Sequence, residues 1–183
     1  MKRTDDKTEP PRSRDRKRAG TRNGRRTRER ILLASINLFS EQGYDAVSIR
    51  EIAAAVGIKD SSIYRHFESK DSILDEILSY YISRSSAAAP SLEQTADRAA
   101  EIGLEQFFKE FGAFYLGFMS DPATQKIWRI IAIEQYHNEK IRRFFRDNIV
   151  GLGDQIFEEL FRLMVERKLL KGYDPAVLSS EFF

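Results

Sequence analysis

The chain has no cysteine, one tryptophan and two histidines among its 183 residues. Without cysteine there can be no disulfide and no thiolate metal ligand, and a reducing, cytoplasmic setting is the expectation. The histidines, His66 and His137, have no acidic pair spaced with them, so neither a metal nor any other cofactor is expected. Long apolar runs are missing too. The longest, Phe111 to Met119, falls far short of the ~20 residues that cross a bilayer. The N-terminus is charged and lacks the apolar core of a secretory signal, so no membrane partner is expected. No segment alternates in polarity as a strand would, which makes the expected fold all-α. A glycine-rich phosphate loop, a nucleophile elbow and a clustered acid/base set are also absent, and no enzyme is expected.

What the sequence does hold is an uneven charge. The net charge is +2, yet residues 1–30 carry thirteen Lys/Arg against five Asp/Glu and the remainder is acidic. A basic arm on an acidic body suits a polyanionic partner, because each phosphate neutralised releases counterions. A solubilising tail would give the same composition. Residues 1–24 are almost wholly polar, with Pro10, Pro11, Gly20 and Gly24, and are expected to be disordered.

Helical periodicity begins near Thr27, a candidate N-cap, and runs through Ile31, Ala34, Leu38 and Phe39 to Gly43. Ser48-Ile49-Arg50-Glu51 reads as a capping box opening a second helix, with Ile49, Ile52, Ala53 and Val56 on one face and Gly57 as its stop. A short segment, Lys59 to Phe67, then turns Ile63 and Phe67 inward. Ser69 caps a fourth helix with Ile73, Leu74, Ile77, Leu78 and Tyr81 in its buried stripe. Ser83 to Ser91, containing Pro90, is expected to break the chain. Helices follow over Leu104 to Met119, from Asp121-Pro122 to His137, over Glu139 to Asn148, along the stripe Ile149, Leu152, Ile156, Leu160 and Leu163, and after Asp174-Pro175.

Ala53, Gly57 and Ile63 have the spacing of a helix-turn-helix: a small residue for close approach, a glycine for the turn, and an apolar plug. A plain helical hairpin could share that triplet. The run of further matches is more specific: Leu38-Phe39, Gly43-Tyr44, Ser48 to Ala53, Gly57-Ile58, Ile63-Tyr64-Arg65-His66-Phe67, Lys70 and Leu74. Over Thr27 to Leu78 the chain resembles the DNA-binding head of the tetracycline-repressor (TetR) family.

The resemblance implies a three-helix head at residues 25–70 and a helical ligand-binding and dimerisation domain at 71–183. It implies that the recognition helix enters the major groove, with Lys59, Asp60, Ser61, Ser62, Tyr64, Arg65 and His66 on its exposed side. Arg50 would reach a base or phosphate; Ser48, Tyr64 and Lys70 would hold phosphates; Arg25, Arg26 and Arg28 would grip backbone or minor groove. His66 can equally be a half-buried residue that the turn needs. Two positions depart from the family pattern: Lys59 stands where a small hydroxyl residue usually caps the recognition helix, and Ser61 where glycine is common. The operator sequence is not legible from either.

The family also implies a homodimer, here through Ile149 to Met164 and Ala176 onward, which would set two recognition helices roughly 34–36 Å apart on double-stranded DNA. Aromatics crowd Phe107 to Phe118. They read either as a cavity for a hydrophobic or aromatic small-molecule effector, or as core packing, which is the usual fate of aromatics at helical spacing. The effector contacts expected under the first reading are Phe111, Tyr115, Phe118, Trp128, Glu134 and Tyr136. The expected function is a sequence-specific DNA-binding regulator, a repressor released from a palindromic operator by that effector. The rivals are a DNA-binding protein without effector control and a helical adaptor with no enzymatic role.

Overall fold

The computed structural model describes residues 13–182, and every regular element among them is helical. In order these are α1 (Ser13–Gln42), α2 (Ile49–Val56), α3 (Asp60–Ile63), α4 (Lys70–Ala88), α5 (Leu92–Ile102), α6 (Leu104–Ser120), α7 (Pro122–Glu134), α8 (Glu139–Phe144), a π-helical stretch (Phe145–Gly151), α9 (Leu152–Glu166) and α10 (Pro175–Phe182).

Three boundaries differ from the sequence reading. The first helix begins at Ser13, inside the segment expected to be disordered; residues 1–12 of that segment lie outside the described residues. Arg and Lys are good helix formers, and the Thr27 hydroxyl donates to the Asn23 carbonyl at 3.0 Å, as in a helix interior, instead of capping a new one. The expected break at Ser83 to Ser91 shrinks to three residues, because the hydroxyls of Ser83 and Ser85 bond back to the carbonyls of Tyr80 and Ile82 and let α4 continue. Pro90 then holds Ala89 in extended backbone and ends it. The helix expected over Glu139 to Asn148 changes to π geometry at Phe145.

Two apolar clusters hold the helices. The larger joins Ile31, Ile36 and Phe39 of α1, Ile52 and Ala53 of α2, Ile63, Phe67, and Ile73, Leu74 and Ile77 of α4 to Ile127, Ile130 and Ile131 of α7 and Ile141 of α8. The core therefore does not divide at residue 70: the head is built onto α7 and α8. The smaller cluster packs Ala96 and Ala99 of α5 and Phe107 of α6 against Leu160, Phe161 and Met164 of α9. At about 25 cal/mol per Å² of apolar area removed from water, burial of this kind is the main force holding short helices such as α2 and α3 in place.

Candidate nucleic-acid interface

The interface is built from α2, its stop and α3. Ser48 opens α2 with a full capping box: its N–H donates to Glu51 Oε2 at 2.7 Å, and its hydroxyl oxygen accepts the Glu51 N–H at 3.3 Å. The Ser48 hydroxyl bond, then the Ser48 backbone bond, hold the Glu51 carboxyl below its ordinary pKa. Gly57, at φ 71° and ψ 38°, ends the helix in left-handed backbone that a side chain would strain. The next N–H, of Ile58, closes on the Ala53 carbonyl at 3.0 Å. Lys59 then leads into α3 in extended backbone with no side-chain cap. Asp60, in the first turn, faces the positive end of the helix.

Ile63 is fully buried and Phe67 nearly so, pinning the segment to α1 and α4. Its other side is open. Lys59, Asp60, Ser61, Tyr64 and Arg65 are exposed, and Ser62 and His66 half-buried. Tyr64, at 57% exposure, is a large ring left in solvent beside a charged neighbour, an arrangement that folding alone does not call for. Arg50 is exposed on α2, and Arg25 and Arg26 on α1.

Two of the expected phosphate contacts are engaged within the protein. The Arg28 guanidinium forks onto Glu76 at 3.0 and 3.3 Å, donates to the His66 carbonyl and lies 4.1 Å from the centre of the Phe67 ring. It ties α1 to the end of the recognition segment. The Lys70 ammonium donates to the carbonyls of Tyr44 (2.8 Å), Val47 (3.0 Å) and Asp45 (3.4 Å) and sits over the Tyr44 ring. It thereby fixes the loop that presents Ser48. Arg30, which the sequence did not single out, donates to the Val56 carbonyl at the end of α2. Nothing short-range in the sequence marks these bonds, since their partners lie more than twenty positions away.

The six expected effector contacts do not meet in one place. Phe118 and Trp128 pack against Tyr81, each with ring centres 6.1 Å apart. Glu134 is buried and accepts the Tyr44 N–H at 2.8 Å. Tyr115 and Tyr136 are exposed. Only Phe111 lines the apolar cavity of about 350 Å³ between α5, α6 and α9, with Leu92, Phe107, Phe114, Ile156 and Phe157. Arg98 and Glu110, 3.3 Å apart, stand at its edge. Among the described residues, no His, Asp or Glu cluster could hold a metal ion, and no helix is long and apolar enough to cross a membrane.

A capped helix, a left-handed glycine and a short segment buried on one side and polar on the other define a helix-turn-helix protein. Residues 31–77 match the family described as bacterial regulatory proteins, tetR family. The chain is 29% identical over 153 residues to the HTH-type transcriptional regulator YerO of Bacillus subtilis, covering 84% of this chain and 46% of that protein. It is 47% identical over 57 residues to the HTH-type transcriptional repressor KstR2 of Rhodococcus jostii, covering 31% of this chain and 27% of that one. It thus spans less than half the length of either relative. In fold it is similar to AibR in complex with isovaleryl coenzyme A and operator DNA, with a TM-score of 0.61 at 20% identity over 85% of this chain and 81% of that one. Residues 31–77 thus carry the helix-turn-helix of the tetR family, and the chain shares its fold with AibR.

Proposed function

We propose that this chain is a sequence-specific DNA-binding repressor that acts as a homodimer on a palindromic operator and leaves it when a small molecule binds the helical body. One observation carries the reading: the segment from Lys59 to His66 is anchored by Ile63 and Phe67 and turns Ser61, Tyr64 and Arg65 to solvent. Such a helix fits the major groove, where each base pair displays its own donor and acceptor pattern. Lys59, Asp60, Ser61, Ser62, Tyr64, Arg65 and His66 face the bases in this reading, Arg50 reaches base or phosphate, and Arg25 and Arg26 hold backbone. Arg28, Ser48 and Lys70 contribute by fixing the elements that do so.

The dimer is supported by apolar side chains left uncovered on the last two helices: Leu152 and Ile156 on α9 and Val177 on α10 are 40–56% exposed. An effector is supported by the phenylalanine-lined cavity under α9, and by the similarly folded AibR, which forms a complex with both isovaleryl coenzyme A and operator DNA. A ligand there can release DNA only by binding one arrangement of the two heads better than the other.

The test is a gel shift on the DNA flanking the chain's own gene, repeated with Arg65→Ala. The expected result is a saturable complex whose preference for its site over scrambled DNA falls by about 1–3 kcal/mol in the variant. Unchanged site choice and affinity in the variant would remove Arg65 from the reading. A chain that binds no duplex at all would remove the reading itself.

A further inference from the structure

The first helix does more than support the head. It runs unbroken from Ser13 to Gln42, although the head's core takes hold of it only from Ile31 onward. Between positions 13 and 26 it carries seven Lys/Arg against one Asp, and Ala19 is its only apolar residue apart from glycine. Such a stretch has no face to bury against protein and none to lay into a lipid surface. The charge nearest the head is also unspent. Arg84, Arg98, Lys140, Arg142, Arg162 and Arg167 of the body are each paired with a carboxylate. Arg22, Arg25 and Arg26 are exposed and form no ion pair among the described residues.

The direction of this charge is fixed by Arg28. Its guanidinium lies on the His66 carbonyl and the Phe67 ring, at the end of the recognition segment. Positions three and four apart share a helix face, so Arg25 stands one turn from Arg28 on that side, and Arg22 one turn further. The 13–26 stretch is about 20 Å long at 1.5 Å per residue, and like charges repeated along it oppose the helix unless something neutralises them.

We propose that this helical extension is a second DNA-binding element, which lies along the phosphates of duplex DNA flanking the half-site read by α3. It adds affinity without sequence preference and lengthens the footprint. The inference rests on the operator reading above: Arg22 and Arg25 already stand on a helix before DNA arrives, so less ordering is left to binding.

Binding of the full chain would be followed by fluorescence anisotropy over a salt series on two duplexes with the same operator. One ends at the half-sites; the other continues for one further turn on each side. Wild type is expected to bind the longer duplex about tenfold more tightly. The triple variant Arg14→Gln, Arg18→Gln, Arg22→Gln should lose that advantage and lower the slope of log K against log salt by about 2–3. Its melting temperature and its preference for operator over scrambled DNA should be unchanged, and the triple Lys variant should restore slope and advantage. A Gln variant that keeps both would overturn the extension's role and leave the operator reading standing. Wild type that fails to prefer any duplex would overturn the operator reading, and failure to bind any DNA would overturn both. Equal, Arg-dependent binding to phosphatidylserine vesicles would overturn the assignment to duplex DNA.

Discussion

The backbone N–H of Tyr44 donates to Oε1 of Glu134 at 2.8 Å, joining the loop after α1 to the last turn of α7. The fit is close. Gly43, at φ +86°, lies so near that an added Cβ would stand 3.3 Å from the same oxygen. Around this bond Lys126 donates to Asn37, and Lys140 bridges Asp71 and Asp75 at 2.5 and 2.7 Å. The head is thus joined to α7 and α8 through polar contacts as well as through the shared core.

Removing the acceptor should be costly. Glu134→Ala strands a buried N–H, and the expected loss is about 1–3 kcal/mol of unfolding free energy in a urea titration. Gly43→Ala adds a left-handed side chain and the contact with Glu134, for about 1–2 kcal/mol or more. If both variants unfold with the wild-type midpoint and slope, the bond does not hold head to body.

Tyr44 gives the protein an alkaline limit. Burial first, then the charges of Asp71 and Asp45, raise its phenol from 10.0 to about 12. The folded state keeps the proton where the unfolded chain has lost it, so the stabilisation is complete below pH 10 and disappears as pH rises toward 12. At about 1.4 kcal/mol per pKa unit, wild type should lose roughly 2–3 kcal/mol across that window. Tyr44→Phe should flatten this part of a stability–pH curve. An equal slope in the variant would place the titration elsewhere.

Lys70 separates a structural from a phosphate-binding role. Lys70→Met keeps the stem and removes the donors to three loop carbonyls. The expected outcome is a loss of about 1–3 kcal/mol in stability, together with weaker DNA binding at every sequence, because the loop before Ser48 is released. Weaker DNA binding with unchanged stability would show that the ammonium works on phosphate instead.

The head was legible in the sequence because its devices are local. Ser48 and Glu51 sit three positions apart, Gly57 marks a turn that only local backbone demands, and Ile63 and Phe67 share a face at helical spacing. The roles of Arg28, Lys70 and Glu134 were not legible. Each is a long-range bond, and a cation near a helix-turn-helix reads as a phosphate ligand until its carbonyl partners are seen. The aromatic segment failed differently. Periodicity puts Phe111, Phe118 and Trp128 on buried faces, but it does not say which cluster each enters; Phe118 and Trp128 go to the Tyr81 side and Phe111 to the α9 side. Charge and composition indicated a flexible arm where the helix in fact continues, since they count residues without reference to the helix already nucleated at Ile31.

The dimer reading stands on α9 and α10. Leu152 and Ile156 follow one another at i, i+4 and are 41% and 40% exposed, while Leu160 and Met164 on the same helix are buried within the chain. Leu152→Glu places a carboxylate on the open side, and near a two-fold axis it would face its own copy in low dielectric. A chain of this size should then sediment as a monomer at micromolar concentration, with little change in its secondary structure. Because two heads on one palindrome add their binding energies through the link between them, affinity for a full operator should fall by a factor of a hundred or so, while affinity for an isolated half-site stays near that of wild type. A variant that remains a dimer would move the pairing surface off α9, and the uncovered face there would need another occupant.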